Sequence, residues 1–205
     1  MGGRFIVIEG LDGAGTTTQV DRVVSALAAR RIATVATREP TDGPVGRLIR
    51  RVLRAEPDAP DVRTLPWLFA ADRADHLYGK VLPTLDSGKW VVSDRYLHSS
   101  LAYQSLTLPL ERVHALNADF LSPDLTFFLD VPVDVCLTRM DGRSEREIFE
   151  HREQLEQISA SYTRVLDFLE AKGQRIVRLD GTQSPEAVTG VILAAVDDAA
   201  SPIRL

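Results

Sequence analysis

The segment Phe5-Ile-Val-Ile-Glu-Gly10-Leu-Asp-Gly-Ala-Gly15-Thr-Thr-Thr18 constrains the fold more than any other part of the sequence. Four apolar residues read as a buried strand, and a helix is expected from about Thr17 to Ala29. The glycine-rich turn between them matches the phosphate-loop pattern G-x-x-x-x-G-K-[ST] at Gly10, Gly15 and Thr17. The lysine position holds Thr16. Glycines let the loop turn its N–H groups inward around a phosphate, and a helix N-terminus adds favourable partial charge. Asp12, Gly13, Ala14 and Thr18 complete the loop, and the Thr17 hydroxyl is a candidate Mg²⁺ ligand. A strand-to-helix turn with threonine as N-cap would need no ligand at all.

The rest of the chain repeats one event, a short apolar run followed by a longer amphipathic one. Strands are expected at Phe5–Ile8, Ala33–Thr37, Trp90–Val92, Leu125–Leu129 and Arg175–Leu179. Helices are expected around Val45–Leu53, from about Thr64 to Leu85, from about Glu147 to Lys172, and from Ser184 onward. Apolar strands alternating with helices predict a three-layer α/β/α domain on a five-stranded parallel sheet. At 205 residues, one domain over residues 1–205 is expected. Ligands of such sheets bind at the carboxyl ends of the strands.

A net charge of −5 argues against a protein that tracks a nucleic-acid backbone, while allowing a locally basic pocket. Cys136 is the only cysteine and sits among Val133, Val135 and Leu137, as a core thiol would. His76, His98, His114 and His151 lack metal-ligand spacing. The sequence shows no apolar run of membrane-spanning length and no cleavable leader pattern, so a cytoplasmic location is expected.

Phe69 and Arg73 are four residues apart and share a helix face. Together they could stack on a flat base and donate to its carbonyl, or be a core ring beside a surface cation. Asp94-Arg95 closes the third strand. The carboxylate there could hold Mg²⁺ or its water, and the guanidinium an acceptor phosphate; a plain salt bridge is the alternative.

Taken in order, these segments resemble the thymidylate kinases of the nucleoside-monophosphate kinase group. The resemblance rests on the loop, Arg38-Glu-Pro40, Leu68-Phe-Ala-Ala-Asp-Arg73, Ser93-Asp-Arg-Tyr96, Ser99-Ser-Leu-Ala-Tyr-Gln104, Pro123–Asp130 and the arginine-rich stretch after Leu137. It spans roughly residues 5 to 180. It implies transfer of the ATP γ-phosphoryl to thymidine 5′-monophosphate (dTMP) with Mg²⁺ held by Thr17 and Asp94, in a homodimer. It further implies that Asp12 lies near the acceptor and the metal, that Arg38, Arg73 and Arg95 hold the acceptor, and that Phe69 stacks on thymine. Ser100, Tyr103 and Gln104, at the start of the next helix, would read the base edge and pack the sugar; which one touches thymine stays open. Glu39 and Pro40 would shape their loop.

The resemblance places a mobile lid at about 138–150, where Arg143 and Arg146 would cover the donor phosphates and replace the missing cation. A solvated charged face is the alternative for that segment. Two other activities stay open. One is a nucleotide-binding module that does not turn over, for want of the loop lysine; the other is a kinase of another small acceptor.

Overall fold

The structure, a computed structural model, describes residues 2–140 and 152–200. Strand β1 (Phe5–Gly10) is buried along its whole length, because it lies in the middle of the sheet with a strand on either side. Each Val or Ile buried there stabilises the fold by about 1.5–3 kcal/mol. Among the described residues the strands form one five-stranded sheet in the order β2-β3-β1-β4-β5, and every pairing is parallel. The others are β2 (Thr34–Arg38), β3 (Trp90–Asp94), β4 (Leu125–Asp130) and β5 (Ile176–Asp180). Edge strands β2 and β5 are only partly buried, as one covered side predicts.

Helices cover both faces, giving the expected three-layer α/β/α arrangement. Helix α1 (Thr16–Ala29) packs on β1 to β3 and against α9 (Pro185–Ala200). Helix α5 (Leu97–Gln104) packs against α8 (Arg152–Glu170) and on β1. Helix α2 (Pro44–Leu53) pairs with α3 (Leu65–His76), while α6 (Leu110–Ala115) packs on α5 and α7 (Val133–Met140) on α8. Ser184 begins α9 as expected, its hydroxyl accepting from Ala187 N at 3.2 Å.

Two expectations need correction. The helix read as continuous from Thr64 to Leu85 is interrupted: α3 ends at His76, a π turn covers Leu77–Val81, and α4 runs Leu82–Asp86. Pro83 has no N–H and its ring would clash with the carbonyl four residues back, so the ladder widens just before it. The i→i−5 bond from Leu82 N to Leu77 O is that widening. Ser100 lies in the first half of α5, but Tyr103 and Gln104 end that helix rather than start it.

Cys136 is buried, and burial pushes its thiol up to about 11, as suits a packing residue. No described helix is long and apolar enough to cross a membrane.

Candidate active site

The glycine loop ends β1 and starts α1. Gly13 and Gly15 have φ of 84° and 96°, a region that residues with a Cβ seldom adopt. The N-cap of α1 is Gly15, with no side-chain cap, so threonine does not close this helix. Its first N–H groups are left for a ligand or water. A Cβ on Gly13 would lie 2.5 Å from the Cys136 carbonyl oxygen, so α7 is seated directly against the loop.

Thr17 Oγ1 donates to Asp94 Oδ2 at 2.5 Å, and Asp94 Oδ1 is buried without a partner. A buried carboxylate oxygen left unpaired is costly, and a hydrated cation would satisfy it. No group of three or more His, Cys, Asp or Glu among the described residues could hold a metal. One carboxylate and one hydroxyl nevertheless suit Mg²⁺, which takes its remaining ligands from water and phosphate oxygens. The residues present therefore fit that ion.

Beside the loop lies a cavity lined by Asp12, Phe69, Arg73, Arg95, Ser100, Tyr103 and Gln104. Glu39, Pro40, Leu53, Tyr96 and Ser99 complete its lining. Arg73 is fully buried rather than a surface cation. Its guanidinium donates to Glu39 Oε2 at 2.7 Å, to Ser100 Oγ at 2.8 Å and to Asn117 Oδ1, and lies over the Tyr96 ring. Arg73 Nε is buried and unpartnered beside the cavity. Phe69 is partly buried against Ile49, Val52 and Leu53 of α2, with its ring also lining the cavity.

A second cavity of about 370 Å³, with room for several phosphate groups, is lined by Asp12, Gly13, Gly15 to Thr18, Arg38, Asp94 and Arg95. Arg50 lines it too. Arg38 is exposed and paired with Asp42 at 2.7 Å, so it must change partner to reach a ligand. Ala14 lines a third cavity with Arg139, which donates to Ala14 O and Gly181 O at 3.3 Å. Gly10 ends β1 and supplies the turn.

Arg95 follows β3 in the left-handed region, φ 68°. It donates to Asp12 Oδ1 at 2.5 Å and to Ser99 Oγ and Tyr162 Oη at 3.1 Å each. Burial, with Asp12 nearby, pushes the Tyr103 hydroxyl well up, so it stays a donor, here to Asp12 Oδ2 at 3.2 Å. Arg95 is thus far more tightly held than a bare sheet-edge cation.

Sequence reasoning did not pick out Arg50, Asn117 or Tyr162, and gave Glu39 only a loop-shaping part. Asn117 and Tyr162 lie far from Arg73 and Arg95 in the chain and carry no motif; only the fold brings them in. Arg143 and Arg146 lie outside the described residues.

A parallel sheet whose central strand feeds a glycine loop into a helix N-terminus, with a carboxylate closing the next strand, defines a P-loop nucleotide-binding fold. The sequence model of the thymidylate kinase family matches residues 8–192. The chain is 41% identical to a thymidylate kinase of Carboxydothermus hydrogenoformans over 92% of this chain and 94% of that protein. It is 37% identical to that of Methylobacillus flagellatus, covering 94% and 96%, and 39% identical to that of Alkalilimnicola ehrlichii, covering 96% and 92%. The chain belongs to the thymidylate kinase family.

Proposed function

We propose that this chain transfers the γ-phosphoryl of ATP to dTMP, giving dTDP and ADP. One observation carries the reading beyond family membership. Asp12, Glu39, Pro40 and Arg95 line both the cavity with Phe69 and Arg73 and the cavity of the glycine loop. A base site and a phosphate site therefore meet at Arg95.

In this reading Phe69 stacks on thymine, and the unpaired Arg73 Nε–H is available to a base carbonyl. Ser100, Tyr103 and Gln104 line the base and sugar, while Arg38 and Arg95 hold the acceptor phosphate. The loop from Gly10 to Thr18 cradles the donor phosphates with its backbone N–H groups. Mg²⁺ on Thr17 and Asp94 would neutralise charge on those phosphates. An acceptor phosphate oxygen attacks the γ-phosphorus as the bond to the ADP oxygen breaks, and the chain's own work is alignment and charge stabilisation. Arg143 and Arg146, in a lid at about 138–150 of this one domain, would supply the cation that Thr16 does not. A homodimer completes the reading.

A coupled assay with ATP and a panel of nucleoside monophosphates tests it. dTMP should be the preferred acceptor; preference for a purine monophosphate contradicts the reading. Thr16, nearly buried on the phosphate cavity wall, favours a second reading, a binding module without turnover. That module would bind ATP in the same experiment and form no product.

A further inference from the structure

Glu9 is fully buried on β1; its carboxylate lies 3.6 Å from the His98 ring, and its other contacts lead toward Arg95. Oε1 accepts from the backbone N–H groups of Tyr96 at 2.8 Å and Ser99 at 3.2 Å. It thereby caps α5, whose N-cap residue offers no side-chain bond of its own. Oε2 accepts from Ser99 Oγ at 2.6 Å and from Tyr162 Oη at 3.1 Å. These two hydroxyls also receive the Arg95 Nη1 donors. Glu9 and Arg95 thus face one another through a pair of hydroxyl oxygens.

Hydrogen-bond direction gives that arrangement its meaning. An ionised carboxylate only accepts, and a hydroxyl has one hydrogen. The two hydroxyls also lie 2.9 Å from one another, and Tyr162 Oη lies 3.4 Å from the Gly10 carbonyl oxygen. The charged carboxylate is the stronger acceptor, and with both hydrogens drawn to Glu9 both hydroxyl oxygens turn lone pairs toward Arg95. The protonation states agree with this. Burial alone would raise Glu9, but the His98 ring, Arg95 and the Ser99 hydroxyl outweigh it and hold the carboxyl below its usual range. Burial, then the Glu9 charge, keeps Tyr162 protonated. Asp12 fixes the other end of the guanidinium. Of the five N–H donors of Arg95, these three bonds leave two for a ligand.

We infer that Glu9 and Tyr162 are positioning residues: by fixing the hydrogens of Ser99 and Tyr162, Glu9 sets the orientation in which Arg95 presents its remaining donors to the acceptor phosphate. The anchored Tyr96 and Ser99 amides also keep Arg95 in a left-handed backbone conformation that a non-glycine residue resists. The inference rests on the reading that Arg95 meets the acceptor phosphate.

Glu9→Gln separates orientation from packing. The amide oxygen can keep capping α5, while the amide nitrogen in place of Oε2 becomes a donor. Each hydroxyl must then turn its hydrogen away from position 9, toward Arg95, the other hydroxyl or, for Tyr162, the Gly10 carbonyl, which disturbs the paired acceptors that Arg95 meets. The experiment compares Glu9→Gln, Tyr162→Phe, the double variant and Arg95→Ala in steady-state turnover, in binding of dTMP against thymidine, and in thermal midpoint. Glu9→Gln should lower kcat and dTMP affinity by roughly 10- to 100-fold, the range for a lost charge-assisted bond, with thymidine binding unchanged within about twofold. The double variant should lose less than the product of the two single losses, because both act on one guanidinium.

If Glu9→Gln lowers dTMP and thymidine affinity equally, or the two losses multiply independently, Glu9 is a structural residue and the inference is overturned. Should Glu9→Gln not fold, Tyr162→Phe decides alone: the same selective loss upholds the inference, and wild-type turnover and binding overturn it. An inactive Arg95→Ala beside unimpaired Glu9→Gln and Tyr162→Phe sinks this inference only. A fully active Arg95→Ala sinks the acceptor-phosphate reading, and the inference with it.

Discussion

The Thr17 hydroxyl donates to Asp94 Oδ2 at 2.5 Å, tying the first turn of α1 to the carboxyl end of β3. The other Asp94 oxygen is buried and unpaired, an arrangement that makes sense if a cation is to sit there. Asp94→Asn keeps an acceptor for Thr17 and removes the charge. Turnover should fall on the order of a hundredfold or more, and the Mg²⁺ concentration for half-maximal rate should rise. The thermal midpoint should change little, since Thr17 keeps its acceptor and Asp94 forms no ion pair among the described residues. An unchanged Mg²⁺ dependence would remove Asp94 from the metal site.

Phe69 divides its surface between the α2 side chains and the acceptor cavity. Phe69→Ala should weaken dTMP binding by about 1–3 kcal/mol, the value of base–aromatic stacking, and leave ATP affinity near wild type. Calorimetric titration with each nucleotide measures this. Equal weakening of both would make Phe69 a core residue.

Gly13 has no room for a side chain, since a Cβ would meet the Cys136 carbonyl at 2.5 Å, and its φ is 84°. Gly13→Ala combines that clash with a left-handed conformation costing about 1–2 kcal/mol for a residue with a Cβ. The thermal midpoint should drop by several degrees and ATP affinity should fall with it. A Gly13→Ala protein as stable as wild type would mean that α7 can move off the loop.

Much of this site was legible in the sequence, and what was not has a physical cause. The strand-loop-helix unit at residues 5–29 announces itself because periodicity and glycine spacing are local properties. Phe69 with Arg73, and Asp94 with Arg95, could be paired because helix and strand geometry fix near neighbours. Arg73 was harder: its burial depends on Glu39 and Asn117, which approach it from other elements. Tyr162 on α8 reads as one more core aromatic until β1 and α5 are packed against it. Pro83 carried a legible warning in the long helix, as a residue that cannot sit in an unbroken ladder.

Thr16 lines the phosphate cavity where the loop pattern has lysine. A hydroxyl can give one neutral hydrogen bond where lysine would give a point charge. We expect turnover in the natural protein to depend strongly on Arg143 or Arg146. Thr16→Lys should recover part of the rate lost in Arg143→Ala or Arg146→Ala, since two cations serving one charge are non-additive. Steady-state rates of the single and double variants measure it. If Thr16→Lys changes nothing in any background, position 16 does not face the phosphates.

The most direct test follows labelled γ-phosphoryl from ATP to dTMP in a single turnover, in the natural protein and in Arg95→Ala, with ATP binding measured alongside. The account predicts labelled dTDP from the natural protein. For Arg95→Ala it predicts a rate lower by roughly a hundredfold, about 3 kcal/mol of transition-state stabilisation, with ATP still bound. Bound ATP with no labelled dTDP from the natural protein, or an unimpaired Arg95→Ala, would contradict it.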